Sequence, residues 1–452
     1  MKKLPLLFDD PPLGQAYIVV PTGNVRGLTA VLAIFFFTRL IVWAAAYSGS
    51  MLHVRLMHGI DPPIDKHREE LALQLQDKQS PLYKSFQYEM ANLAPLLNFD
   101  GFHYKSIIEG GYEYEYVDPD QRPRKPGQNI AFFPLFPLLC MPLAKLLGAG
   151  GANIAMVLVV HAASLAAGLI LYYWVRRRID ERAAVFTVAC LFCLPASCYF
   201  AFGYAESVTL LLTVITLVLI DRRAWLPAAL VCGVATASRP TALGLAAVVA
   251  LAFLFNAQLT RSKRWAVAVA LGLVGSAGLL AYAAYLGYRF GSPTVYLTNF
   301  RAGWVTNEIR SDWFQYLTFA RIWDQFKYLG HVFTDAPLGL IELTRAFTWN
   351  MPINLLIIFI SLAGMIRVPR SFRPLLLLGP FIFMHAYIAS GGANFGVEPI
   401  GRYMAVSVPA FIVLGAWATR EWRPAARTVL IAAMLLLQAS WAFQFGMGEW
   451  SG

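Results

Sequence analysis

Charge is what this sequence has least of. Asp, Glu, Lys and Arg make up 14% of its 452 residues, against about 25% in an average soluble chain. With 58% of the residues hydrophobic, that shortage excludes a soluble globule. A soluble chain of this length would form about two or three domains; apolar stretches of about 20 residues between short basic clusters point instead to one polytopic membrane domain. Acid is scarcer than base, 26 Asp+Glu against 37 Lys+Arg for a net charge of +11. In a membrane protein that excess belongs to cytoplasmic loops, so nucleic acid is not an expected partner. Cysteine is sparse as well. Cys140, Cys190, Cys193, Cys198 and Cys232 lie in apolar surroundings, and the C-x-x-C at 190 and 193 has no nearby His, Asp or second Cys pair to complete a zinc site. No metal is expected. Asn-x-Ser/Thr sequons are absent, which removes support for a glycosylated secretory-pathway protein. The N-terminal MKKLPLLFDDPPLGQ lacks an apolar core followed by a small-residue cleavage site, so the first hydrophobic segment is expected to remain as a signal anchor. A bacterial inner membrane is the expected location. Internal repeats, heptad arrays and Gly-rich phosphate loops are missing too.

What is present is a ladder of apolar runs. Segments near 27–47, 154–175, 183–201, 204–220, 225–238, 241–255, 265–286, 351–366, 374–389, 403–419 and 428–446 predict an all-α polytopic membrane protein of about eleven transmembrane helices. The clusters Arg176/Arg177/Arg178/Arg182, Arg222/Arg223, Arg261/Lys263/Arg264, Arg367/Arg370/Arg373 and Arg420/Arg423/Arg427 then share the cytoplasmic side with Lys2, Lys3 and Arg26. This works only if 130–147, with Pro134, Pro137 and Pro142, does not cross but forms an irregular or re-entrant piece. The short spans meeting at Ser238-Arg239-Pro240 predict a broken or hairpin helix pair. Two long loops, 48–129 and 287–350, and the turns at 202–206, 238–240 and 390–402 fall on the external face. Loops of such length are usually functional or disordered. The aromatic-rich stretch 312–333 suits a helix at headgroup depth. The chain reads as one membrane-embedded domain over 1–452.

The polar residues that could carry chemistry collect on that external face. The densest group is Phe99-Asp100-Gly101-Phe102-His103-Tyr104-Lys105, followed by Glu109-Gly110-Gly111-Tyr112 and Ala131-Phe132-Phe133-Pro134. If 101–109 is helical, Asp100 is placed to cap it and Gly110 to end it, with His103 one turn along. Alternatively, an ionised Asp100 at the membrane boundary, with His103 and Lys105 nearby, accepts a proton from an attacking hydroxyl and shares a site with a lipid phosphate. Glu206, in PASCYFAFGYAES, either complements the dipole of the next helix or faces a cavity. Arg239 and Arg402 are either snorkelling side chains or planar forks for a phosphate. His161 and His385, in apolar helices, read as satisfied core histidines.

The run FDGFHYKSIIEGGYEYE followed by AFFPLFPLL resembles the Trp-Asp-x-x-His-Tyr…Gly-Tyr…Ala-Phe-Phe-Pro-Leu-Tyr-Pro signature of PIG-V-type mannosyltransferases, the second mannosyltransferases of glycosylphosphatidylinositol assembly, and their bacterial relatives. PASCYFAFGYAES, ATASRPTAL and FGSPTVYLTNFRAGW are similar to further segments of that family, and GRYMAVSVP matches more weakly. Phe99 stands where Trp is usual, Phe136 where Tyr is usual and Ser292 where Asp is usual. The resemblance implies a GT-C glycosyltransferase bundle that takes mannose from a polyprenyl phosphate at the non-cytoplasmic face and passes it to a lipid or glycolipid acceptor. It implies Asp100, His103 and Glu206 as catalytic residues, with Asp100 the general base of one inverting displacement. Tyr104, Lys105, Phe133, Tyr204, Arg239, Trp304, Arg402 and Tyr403 would bind substrate, the arginines meeting the leaving phosphate. No cofactor is implied beyond the lipid-linked donor, which is substrate. Two other classes compete: a polyprenyl-sugar or lipid transporter, which predicts inverted repeats and midplane polar residues, and a non-catalytic assembly subunit, which predicts tolerance of charge-neutralising changes at Asp100 and Arg402.

Overall fold

Backbone polar groups in hydrocarbon must be satisfied within the chain, which favours helices. The computed structural model describes residues 6–9, 25–57, 90, 92–116, 128–256, 258–303, 327, 330, 345–389 and 400–449, and every regular element among them is helical. These are α1 (Val25–Met57), α2 (Asp100–Gly110), α3 (Leu135–Leu147), α4 (Gly151–Arg178), α5 (Glu181–Cys193), α6 (Glu206–Asp221), α7 (Trp225–Thr236), α8 (Leu243–Asn256), α9 (Arg261–Gly275), α10 (Ala277–Phe290), α11 (Val295–Gly303), α12 (Ala346–Gly364), α13 (Leu378–Ala389), α14 (Ile400–Met404), α15 (Val408–Glu421) and α16 (Pro424–Gly446). Single 3-10 turns lie between some of them, notably Pro195–Phe200 and Pro240–Ala242. Among the described residues, the stretches Val25–His53, Gly151–Arg178 and Pro424–Gly446 are long and apolar enough to cross a membrane, and α9 with α10, bent by 54° to each other, form either a broken span or a re-entrant pair. The interfacial helix expected at 312–333 lies outside the described residues, apart from residues 327 and 330.

Several expected spans are interrupted. The run 183–201 stops being α-helical at Cys193 and turns into the 3-10 segment Pro195–Phe200, because Pro195 has no N–H and holds Leu194 away from the helical region. The run 265–286 breaks at Ser276. The segment 130–147, expected to be an irregular or re-entrant piece, is irregular as far as Pro134 and then a regular helix over Leu135–Leu147 that carries Pro142 inside it. At 1.5 Å per residue it is about 20 Å long, short of a hydrocarbon core of about 30 Å.

Packing centres on α4, which contacts α3, α5 and α6, while α1 and α16 lie side by side along α5. The break after α5 is buried, and side chains take over the work of the missing helical bonds. Pro195 cannot donate to Leu191, and the Ser197 hydroxyl does so instead at 2.5 Å. Gln438 Nε2, from α16, donates to the carbonyls of Phe192 and Leu194 at 2.8 and 2.9 Å. Arg39 Nη1, from α1, donates to Ser197 O at 3.3 Å, with its guanidinium 5.1 Å from the rings of Phe35 and Phe192.

The bundle has two polar ends. At one, Asp180 caps α5 by accepting from Ala183 N–H at 2.7 Å, and Arg178 pairs with Asp221 at 2.7 Å while Trp174 Nε1 donates to the same carboxylate. Phe8 packs on Phe372 beneath Arg178, and Leu7 N–H donates to Arg367 O at 2.7 Å. Arg367 in turn pairs with Glu421, so the basic clusters after α4, α6, α12 and α15 share one end. The other end of α6 begins at Glu206. Replacing Gln438 with Leu removes the donors to two buried carbonyls and is expected to cost about 1–3 kcal/mol, read as a lower apparent melting temperature in detergent; an unchanged value would show that the break needs no such support.

Candidate active site

Four buried charges meet at the end of the bundle opposite the basic clusters. Each lies where a helix starts or breaks. Helix α2 is entered through Phe99, whose φ of 57° is in the left-handed region that costs a non-glycine residue about 1–3 kcal/mol. Neighbours hold this turn in place. Asn98 Nδ2 donates to Phe445 O at 2.8 Å, and the Phe99 and Phe445 rings meet edge-on at 5.6 Å. The Tyr204 hydroxyl donates to Asn98 O at 2.9 Å and accepts the Asp100 N–H at 3.2 Å. Tyr204 thus takes the capping role that the spacing assigned to Asp100, and the helix ends at Gly110, with Gly111 at φ of 82° as its C-cap. Relieved of that role, the Asp100 carboxylate accepts from Arg402 Nη1 at 2.6 Å and lies 3.8 Å from Arg239 Nη2.

Glu206 opens α6 and pairs with Arg239, while Arg402 Nε is 3.6 Å from the same oxygen, Oε1. Arg239 is delivered by the break between α7 and α8, where Pro240 forces the preceding residue into extended backbone. The hydroxyls of Thr209 and Ser238 meet at 2.8 Å and tie that break to the first turn of α6. Both guanidiniums pack on aromatic faces. Arg239 lies 4.5 Å over Tyr403, and Arg402 lies 5.1, 5.4 and 5.8 Å from the rings of Tyr403, Tyr204 and Tyr199. Arg402 Nη2 also donates to the Tyr403 hydroxyl at 3.2 Å. Relative exposures of 5, 1, 8 and 4% for Asp100, Glu206, Arg239 and Arg402 rule out snorkelling. The approach is close. A Cβ at Gly203 would run into Leu97 and Met156, and one at Gly401 into the Asn350 amide.

The other expected site residues divide. Tyr104 is buried, edge-on to Phe132 and Phe136, and within electrostatic reach of all four charges. His103 stacks on Phe132 at 4.6 Å. Burial pushes its imidazole below the ordinary histidine value, and the negative charge of Asp100 opposes this in part. A neutral imidazole near pH 7 is suited to accepting a proton and not to balancing a phosphate. Lys105 is not among the charges; it sits 3.8 Å from Glu109 on a part-exposed flank of α2. Phe133 is not among them either, because it packs with Tyr282 and Tyr296 in a second apolar cluster. Trp304 lies outside the described residues. Residues that sequence patterns did not single out include Asn129, whose amide accepts from Glu113 N–H and donates to Ser106 and Gly111 O, clamping the strand-like exit of α2. Asn98 and Tyr199 are likewise part of the frame. Arg39 and Gln438, polar residues in the middle of apolar runs, carried a signal that reading for buried polar groups would have found. Among the described residues, no group of three or more His, Cys, Asp or Glu is arranged to hold a metal ion.

The family described as Mannosyltransferase (PIG-V) matches residues 56–289. No curated protein matches the chain. Among solved structures, the chain is similar to an archaeal oligosaccharyltransferase, AglB from Archaeoglobus fulgidus in complex with an inhibitory peptide and a dolichol-phosphate, at 14% identity and a TM-score of 0.41 over 78% of this chain and 52% of that one. It is also similar to ArnT from Cupriavidus metallidurans bound to undecaprenyl phosphate, at 14% identity and a TM-score of 0.44 over 92% of this chain and 75% of that one. The chain spans about half the length of the oligosaccharyltransferase.

Two outcomes follow from the frame around α2. Tyr204→Phe removes both hydroxyl bonds and is expected to cost about 1–2 kcal/mol, with faster amide exchange at the start of α2 in deuterium-exchange mass spectrometry; unchanged protection there would show that the hydroxyl is dispensable. For His103, the folded value lies below the unfolded value of about 6.5. The folded state therefore has its full advantage above that pH and loses it as pH falls below it. The melting temperature of wild type should fall more steeply than that of His103→Gln between about pH 7 and pH 5, and parallel curves would contradict the burial of a neutral ring.

Proposed function

This chain belongs to the mannosyltransferase (PIG-V) family, and from that premise we propose that it moves a mannosyl residue from a polyprenyl-phosphate sugar to a lipid or glycolipid acceptor. The reaction takes place at the non-cytoplasmic face of the membrane, in a single domain of the GT-C type that crosses about eleven times. The observation that carries the reading is the quartet Asp100, Arg402, Glu206 and Arg239: two carboxylates and two guanidiniums, buried together at the end of the bundle away from the basic clusters.

Each step has a group suited to it. The acceptor hydroxyl gives its proton to Asp100, its oxygen bonds to the anomeric carbon, and the bond from that carbon to the phosphate oxygen breaks with inversion. The electron pair leaves with the polyprenyl phosphate, and the two arginines, which stay charged at any working pH, face the charge that develops there. Glu206 Oε2 is buried without a hydrogen-bond partner, and this leaves an acceptor for a sugar hydroxyl. Neutral His103, one turn from Asp100, offers the proton a way out to the part-exposed flank of α2. A transporter would keep its polar groups near the midplane. Here the mid-helix polar side chains Arg39 and Gln438 donate to main-chain carbonyls of the break after α5.

Transfer of radiolabelled mannose from polyprenyl-phosphate mannose to a membrane lipid extract, in proteoliposomes, tests the reading. Asp100→Asn is expected to fold and to lose about a hundredfold to ten-thousandfold in rate. Equal transfer by both proteins would remove Asp100 from the mechanism.

A further inference from the structure

We propose that the donor phosphate takes the place of Asp100 on Arg402, so that binding of the donor itself releases the base. This rests on the function proposed above and concerns how the same site is regulated. Within the quartet, two carboxylates already neutralise two guanidiniums, and Arg402 bridges Asp100 at 2.6 Å. An Asp held in that bridge has its Oδ2 engaged by a permanent cation and is turned toward Arg402 rather than toward an incoming hydroxyl. A phosphate approaching the same arginine meets the Asp100 charge in its way. One exchange removes both obstacles. A sugar phosphodiester carries one negative charge, as Asp100 does, so the swap leaves the arginines as well balanced as before.

Asp100 is the carboxylate able to leave. Glu206 is 1% exposed, touches both arginines and is fixed at the start of a long helix that is anchored at both ends. Asp100 makes its bridge from the first residue of an eleven-residue helix whose flank is left uncovered by the bundle at Phe102, 56% exposed. Its main chain is held by Tyr204 independently of its side chain, so a rotation about its side-chain bonds is enough to move the carboxylate without disturbing α2. After transfer, Asp100 carries the acceptor's proton and the phosphate has become a monoester with one more negative charge. When the polyprenyl phosphate departs and Asp100 loses its proton, the bridge to Arg402 re-forms. The exchange makes the donor the first substrate to bind, and it keeps the base closed to water and acceptor until a sugar is present.

The test is binding of farnesyl phosphate, a short polyprenyl phosphate, to the purified full-length protein in detergent. If Asp100 competes for Arg402, Asp100→Asn should bind it at least about tenfold more tightly than wild type, and more tightly than Glu206→Gln, which removes the same charge from the carboxylate that stays. Equal gains in the two variants would indicate a field effect alone and overturn the exchange, as would no gain in Asp100→Asn. In wild type labelled with [4-13C]aspartate, the infrared difference spectrum on adding farnesyl phosphate should show an aspartate carboxylate stretch moving as its guanidinium partner is lost. An unchanged aspartate band with saturable binding would overturn the exchange while leaving the proposed donor class standing. This measurement needs no variant, so it decides the matter even if Asn at position 100 destabilises the fold. Absence of binding in all three proteins would overturn the donor assignment and the exchange together.

Discussion

The rest of the structure depends on mutual neutralisation of four charges inside an apolar bundle. Moving a lone carboxylate or guanidinium out of water costs several kcal/mol, and removing one member of a buried pair typically costs about 3–5 kcal/mol because its partner is stranded. Asp100, Glu206, Arg239 and Arg402 come from separate stretches of the chain, and each offsets part of the cost of burying the others. Their pairing therefore fixes how α2, the start of α6, the break between α7 and α8, and α14 approach one another. A buried ion pair is weak evidence of stabilisation when set against a hydrophobic core of the same volume. Its retention here is better accounted for by what charged groups can do and apolar ones cannot.

Delivering those side chains to one place requires ending helices inside an apolar environment, and that exposes backbone groups that have to be satisfied locally. Pro195 and Pro240 make the two breaks closest to the quartet, and each is repaired by hydroxyls within a few residues. Ser197 donates to Leu191 O and Ser207 to Phe200 O, while Ser238 donates to Ala235 O and meets Thr209. Repairs of longer range come from the first and last helices, through Arg39 and Gln438. The consequence is a site built from irregular backbone that is nevertheless fully packed. Tyr199, Tyr204 and Phe445 fill the space between the break and α2.

The all-helical class, the proline breaks and the four charged residues were legible in the sequence, because composition, prolines and isolated charges in apolar runs are local signals. What was not legible depends on partners far along the chain. Asp100 followed by the helical pattern 101–109 reads as a cap, and nothing local reveals that a tyrosine 104 positions away supplies the acceptor instead. Arg239 and Arg402 read as forks for a phosphate or as snorkelling side chains; that each already holds a carboxylate follows only from the packing. Lys105 and Phe133 belong to the right motifs but face away from the charges, since a short helix and a short turn present their residues in several directions. The three prolines of 130–147 suggested an irregular segment. Two of them fall at its first turn, where a missing N–H breaks no helical bond, and only Pro142 sits inside.

The depth of the site follows from α6. Its 16 residues make a rod of about 24 Å with a buried ion pair at each end: Glu206 with Arg239 at one, Asp221 with Arg178 at the other. Neither end can slide along its neighbours without opening a pair, because the partners are carried by different helices. Asp221 is held further by the Trp174 indole, and Arg178 by the rings of Phe8 and Phe372. Glu206 is consequently the fixed point of the quartet, and its level in the bundle is set from the opposite face. Asp100 is bridged to Arg402 in the same way, but the helix it opens has no buried ion pair at its other end, where Lys105 and Glu109 are part-exposed. The asymmetry between a carboxylate on a helix pinned by buried ion pairs at both ends and one on a helix so pinned at one end only is a property of the scaffold, present before any ligand arrives, and it decides which of the two acids can move.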